Sequence, residues 1–99
     1  MKDYDVALET LGRPYDPSDE ALYVTVTGED GIRYHAPFVT PRFIKNISEK
    51  NRATGECLDG TYFSMPGMIV VSELTEPRIR ATIDNLLENH EFNEYFRKD

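Results

Sequence analysis

Apolar and polar residues alternate over residues 21–27, the pattern of a β-strand with one buried face. The apolar positions are Leu22, Val24 and Val26. Asp30 and Gly31 then suit the positive backbone angles of a tight turn, and the alternation resumes over residues 32–36. The two segments therefore predict a β-hairpin, which is the best specified element of the chain.

Two later segments place apolar residues three and four positions apart, which is typical of amphipathic helices. Thr40 and Pro41 supply a capping residue and a proline at the first helical position, so we expect a helix from about residue 41 to 54, ended by Gly55. Thr75 begins a second helix in the same way. The aromatic residues after this helix are expected to pack back on the domain; they are Phe92, Tyr95 and Phe96.

Between the two helices, the pattern favours extended chain. Asp59 and Gly60 predict a turn, and the neighbouring Tyr62 and Phe63 are strong strand formers. Residues 68–71 are four consecutive apolar residues, which suits an interior strand covered on both sides by helices or by an oligomer partner. This stretch therefore predicts a second, hairpin-like pair of strands.

The amino-terminal segment has the weakest pattern. Asp3 can cap a short helix that Gly12 would end. Its apolar face would consist of Tyr4, Ala7, Leu8 and Leu11. Residues 13–20 contain two prolines and three acidic residues, which is typical of an irregular connector. We therefore expect residues 1–20 to form a loosely attached extension and residues 21–99 to form a single α+β domain.

The predicted elements follow the order ββαββα, which indicates the α+β class. A mainly antiparallel four-stranded sheet with the helices on one face buries the apolar side of every element in two layers. The chain length of 99 residues allows one such core and leaves no room for a second domain.

The number and distribution of charged residues indicate more about possible partners than the overall composition does. The chain has 18 acidic and 11 basic residues and a net charge of −7, which argues against nucleic acid and anionic membranes as partners. The distribution is uneven, because residues 31–55 carry a net charge of +4 while the segments before and after them carry −6 and −5. The charges of these segments either neutralise one another within the fold or remain available to a partner.

Several classes of protein are excluded by what the sequence lacks. The longest apolar run has four residues, far short of the about 20 that a membrane-spanning helix needs. The first residues lack the layout of a signal peptide, and the single cysteine cannot form an internal disulfide. We therefore expect a cytoplasmic protein.

Few residues are candidates for chemistry. Cys57 lies near Glu56 and Asp59, whose negative charge disfavours a reactive thiolate, so we interpret the cysteine as structural. His35 and His90 have no recognisable catalytic partner in the sequence and are interpreted in the same way. The sequence therefore predicts no catalytic residue, no metal site and no cofactor.

Two sets of residues are candidates for binding. The first is the outer face of the first helix with a nearby strand arginine, and it consists of Arg42, Lys45, Lys50, Arg52 and Arg33. The second consists of tyrosines, a residue type common at interfaces: Tyr23, Tyr34 and Tyr62. Basic helix faces are often merely solvated and most aromatic residues belong to cores, so either set points to binding only where it stays exposed.

By elimination, the leading hypothesis is a small acidic protein-interaction module, in the form of an inhibitor or immunity-type partner whose acidic surface neutralises a basic protein. The alternative from another class is a small anionic-ligand-binding or enzymatic domain with a site between the sheet and the basic helix. A third alternative is a structural homo-oligomer, such as a homodimer formed through residues 68–71 and a free sheet edge.

Overall fold

The computed structural model describes residues 3–99 and shows an α+β fold, as predicted. Within this range, the strands are β1 (Tyr4–Leu8), β2 (Ala21–Gly28), β3 (Arg33–Val39), β4 (Ile69–Val70) and β5 (Arg97–Lys98). The helices are α1 (Pro41–Thr54), α2 (Glu56–Gly60), α3 (Glu76–Glu88) and α4 (Phe92–Tyr95).

The predicted hairpin, formed by β2 and β3, is the centre of the sheet. The two strands pair antiparallel, with Val24 opposite Ala36. β1 lies antiparallel on the other side of β2, and the far edge of β3 is shared by two short strands. Of these, β4 runs parallel to the end of β3, whereas β5 runs antiparallel beside its beginning. The sheet is therefore antiparallel except for β4.

The core lies between one face of this sheet and the helices α3 and α4. Val24, Phe38 and Ile83 are fully buried there, as the alternation along the strands and the apolar stripe of α3 predict. The aromatic tail packs back as expected, because the ring of Phe96 stacks on that of Phe92 at 4.4 Å and tilts against that of Phe38 at 6.0 Å. The aromatic residues Phe92 and Phe96 therefore belong to the core.

The prediction of a helix near the amino terminus is wrong, because Tyr4–Leu8 forms the strand β1. A short isolated helix is marginal in water, whereas pairing with β2 satisfies the backbone along one side of the segment. The following connector is also held in place, since the Tyr15 hydroxyl donates to the carbonyl oxygen of Leu74 at 2.9 Å. The domain boundary at residue 20 stays a prediction.

The predicted second pair of strands is present only in part. Tyr62 lies in irregular chain, and β4 has only two residues. Ile69 and Val71 are buried while Val70 is half-exposed, so the apolar run is covered on one side rather than on both. The preceding residues fold against α1 instead of the sheet, where the ring of Phe63 lies 6.0 Å from that of Phe43.

Helix α1 has the predicted bounds and caps. The Thr40 hydroxyl accepts from the Phe43 amide at 3.3 Å, and Gly55 ends the helix in the left-handed conformation at φ 86°. The helix begins where β3 ends, opposite the hairpin turn, and contributes no residue to the main core. The molecule is accordingly elongated, with extents of 45 × 27 × 21 Å.

Candidate functional site

A cleft of about 760 Å³ lies between the turn that joins β2 to β3 and the carboxyl-terminal end of α3. Its floor is apolar and aromatic, with Tyr34, Leu87 and Phe92, and the rings of Tyr34 and Phe92 meet edge to face at 5.3 Å. Its rim carries three carboxylates, from Glu29, Asp30 and Glu88. We call this site the acidic cleft.

Local backbone structure places these groups. The Asp30 carboxylate accepts from the Ile32 amide at 3.0 Å, and Gly31 takes the left-handed conformation that the turn requires. At the other wall, His90 has a positive φ of 59°, which turns the chain after α3. The Glu91 amide then donates to the Leu86 carbonyl oxygen at 2.8 Å. This turn directs Phe92 into the floor of the cleft.

The acidic surface continues beyond the cleft towards β1. A neighbouring hollow of about 300 Å³ shares Gly28 and Glu29 with the acidic cleft and is also lined by Asp3 and Asp5. The exposed carboxylates of this hollow and of the cleft therefore form one surface at the hairpin end of the sheet.

Tyr4 supplies a pH-dependent test of this end of the fold. Burial, followed by the hydrogen bond that the Tyr4 hydroxyl donates to Asp84, raises the pKa of Tyr4 to about 12. Because an unfolded tyrosine has a pKa of about 10, Tyr4 contributes stability below pH 10 that is lost as the pH rises through about 12. We expect the last tyrosinate absorbance to appear near pH 12 and to be missing in Tyr4→Phe.

The matched control is Tyr62→Phe, which removes an exposed phenol and should leave that last absorbance step in place. If the step persists in Tyr4→Phe, the hydrogen bond between Tyr4 and Asp84 does not govern the ionisation of Tyr4.

The structure brings together the four basic residues predicted on one helix. Arg42, Lys45, Lys50 and Arg52 are all exposed on α1. Within residues 3–99, only Lys50 of these four forms an ion pair, with Glu56 at 3.7 Å. The basic face of α1 therefore keeps three of its four cations outside any ion pair among the described residues. It lies at the end of the molecule opposite the acidic cleft.

Arg33 does not join this basic helix face. It lies at the hairpin end of β3, where its guanidinium donates to the Asp99 carboxylate at 2.8 Å. That contact is the main cause that holds the pKa of Asp99 below its usual range. The five predicted cations therefore separate into a group of four and one structural pair, and their role in binding stays a prediction.

The three predicted tyrosines lie in separate places. Tyr34 lines the acidic cleft, Tyr23 is 44% exposed on the outer face of the sheet, and Tyr62 is 53% exposed after α2. Their combined use as one interface has no support in this placement. The exposure of Tyr23 and Tyr62 keeps each of them available for contact.

A polar network occupies the outer face of the sheet, around His35. The Thr25 hydroxyl lies 2.9 Å from His35 Nδ1 and also donates to Glu9 at 3.1 Å. The other ring nitrogen, Nε2, lies 3.4 Å from the Asp99 carboxylate. Thr25 is buried and inaccessible to a substrate, so the network joins strands rather than forming a nucleophile.

Cys57 and His90, the remaining candidates for chemistry, lie in different parts of the structure. Cys57 is half-buried in a left-handed turn within α2, and His90 is exposed at the wall of the acidic cleft. Over residues 3–99, no grouping of His, Cys, Asp and Glu side chains is suited to a metal ion. None of the helices described there is long and apolar enough to cross a membrane.

The acidic cleft itself is not evident from the sequence. Glu29 and Asp30 are adjacent and are naturally interpreted as solvated turn residues, and Glu88 lies on a distant helix. Only the packing of α3 across the sheet brings the three together. The one local signal is the Asp30-Gly31 turn, which fixes where the hairpin ends.

Comparisons with known proteins contribute no identification. No family model, curated protein or solved structure matches this chain. The geometry of the molecule therefore supplies the grounds for a functional assignment.

Proposed function

We propose that this chain is an acidic protein-interaction module that binds a basic partner protein through the acidic cleft. The observation that carries the proposal is the combination of partly exposed apolar side chains on the floor, Tyr34 and Leu87, with the carboxylates of Asp30 and Glu88 on the rim. The acidic cleft is also larger than the adjoining hollow beside β1, which has a volume of about 300 Å³.

This combination suits a lysine or arginine side chain. The long apolar stem of either residue can lie on aromatic and leucine side chains while its charged head stays at a wet, acidic rim. A cation over an aromatic face adds about 0.5–1 kcal/mol at an exposed site, and each exposed ion pair adds up to about 1 kcal/mol. Several such contacts in one cleft would be needed for a specific complex.

The overall charge supports the same class of partner. A net charge of −7 attracts a basic protein over a distance of about one Debye length and speeds encounter at low salt. We further propose that the protein acts in the cytoplasm as an inhibitor or immunity-type partner, covering a basic surface of its target. Binding to nucleic acid or a membrane is not part of this proposal.

An arginine-rich peptide of about nine residues is a suitable probe, compared with a glutamine peptide of the same length. We expect isothermal titration calorimetry to show binding of the arginine peptide that weakens with salt. Neutralising the rim in Asp30→Asn/Glu88→Gln should weaken it about 5- to 10-fold, because each lost ion pair costs up to about 1 kcal/mol.

The control is Glu49→Gln/Asp59→Asn, which makes the same change in net charge at the opposite end of the molecule. It should change the dissociation constant less than about 2-fold, since exposed charges more than a Debye length apart are largely screened. Equal weakening by both double variants would mean that only net charge attracts the peptide, and the cleft would be rejected as the binding site.

A further inference from the structure

Strand β1 is an open edge of the sheet. Among the described residues it pairs only with β2. The Glu9 amide donates to the Tyr23 carbonyl oxygen, so the alternation of an antiparallel ladder directs the backbone groups of Asp5, Ala7 and Glu9 towards β2. The N–H groups of Tyr4, Val6 and Leu8 therefore point away from the sheet, at the open edge.

The two faces of β1 differ in chemistry. Tyr4, Val6 and Leu8 are half-buried and pack against the main core. The residues on the other face are exposed, and three of them are acidic: Asp3, Asp5 and Glu9. A strand added to this edge would therefore meet an apolar row on one face and a negatively charged row on the other.

A second copy of this chain is a poor occupant of the edge. If two β1 strands paired antiparallel about Val6, Asp3 of each copy would lie opposite Glu9 of the other. Like charges directly opposite one another destabilise a strand pair. The same row favours lysine or arginine at alternate positions of an incoming strand, because opposite charges directly across a strand pair stabilise it.

We propose that the open edge of β1 binds an extended segment of a partner in which basic and apolar residues alternate, added as a further strand of the sheet. Main-chain hydrogen bonds to Tyr4, Val6 and the Leu8 N–H supply affinity, since the Leu8 carbonyl oxygen already accepts from the Thr10 amide. The carboxylates of Asp3, Asp5 and Glu9 select basic side chains. Edge binding does not require the acidic cleft. It shares with the proposed function only the basic character of the partner.

The test uses a peptide of about seven residues in which lysine and valine alternate, and a version with alternate amides N-methylated. We expect amide hydrogen exchange, measured by NMR, to slow at Val6 and Leu8 when the unmodified peptide binds. The amides of Asp5 and Ala7, already bonded to β2, should change little. The N-methylated peptide has the same charge but cannot pair, so it should bind at least about 10-fold more weakly, a cost of about 1.4 kcal/mol.

Two charge variants test the selectivity of the edge. Asp5→Lys should weaken binding of the unmodified peptide about 10-fold, whereas Glu49→Lys, with the same charge change on α1, should alter it less than about 2-fold. Asp30→Asn/Glu88→Gln should leave the protection at Val6 intact, which separates failure of the edge from failure of the cleft. Equal binding of both peptides, or protection of Val6 through self-association without peptide, would overturn the proposal.

Discussion

Replacing Phe96 by alanine is expected to lower the free energy of unfolding by about 3–5 kcal/mol, the range for removing a buried aromatic ring. Phe96 is only 2% exposed, stacks on Phe92 and contacts Phe38 on the central strand. The loss is a large part of the 5–15 kcal/mol that stabilises a typical domain. It would also release β5, which follows directly and holds Asp99 beside His35.

Chemical denaturation of Phe96→Ala, followed by circular dichroism, measures this loss. The matched control is Tyr62→Ala, which removes an aromatic ring that is 53% exposed and should cost less than about 1 kcal/mol. Similar losses in the two variants would contradict the position of the aromatic tail in the core.

The second large effect is expected for Gly67→Ala. Gly67 has a φ of 72°, and a Cβ atom there would lie 2.5 Å from the carbonyl oxygen of Tyr95. The left-handed conformation costs a side chain about 1–2 kcal/mol, and relieving the overlap costs about 1–3 kcal/mol more. We expect a total loss of about 2–5 kcal/mol, measured as a lower denaturation midpoint.

Gly31→Ala measures the cost of the left-handed conformation alone, because Gly31 has a similar φ of 81° but nothing within 4 Å of an added Cβ. It should cost only the about 1–2 kcal/mol of the conformation itself. If the two alanine variants unfold at the same denaturant concentration, the chain before β4 does not pack against α4 as closely as the structure shows.

The elements that sequence reasoning predicts well are those with local signals at both ends. Asp30 and Gly31 define the hairpin turn, and Thr40, Pro41 and Gly55 define the bounds of α1. Each signal acts through backbone geometry or hydrogen bonds within a few residues. Such elements are specified before any tertiary contact is considered.

The elements that were predicted wrongly depend on distant partners. Residues 4–8 have an apolar pattern compatible with either a helix or a strand, and pairing with β2 decides between them. Residues 61–68 contain strand formers, yet the contact between Phe63 and Phe43 holds part of this segment against α1. In both segments, tertiary contacts determine the conformation against the local preference of the sequence.

The two candidate binding surfaces also differ in whether a local sequence pattern predicts them. The basic face of α1 follows from helical spacing and is found as predicted, because Arg42, Lys45, Lys50 and Arg52 lie within one helix. The acidic cleft joins a turn to the end of a helix far along the chain, and no spacing rule connects them. The cleft becomes evident only in the three-dimensional structure, where α3 crosses the sheet.

The separation of charge along the molecule has a consequence for how a complex begins. The four cations of α1 are partly balanced by Glu49, Glu56 and Asp59, so the negative charge is concentrated at the hairpin end and gives the protein an electric dipole moment. The field of an approaching basic protein exerts a torque on that dipole and turns the hairpin end towards the partner before contact. Encounters are thus oriented in advance, and added salt reduces this alignment together with the attraction.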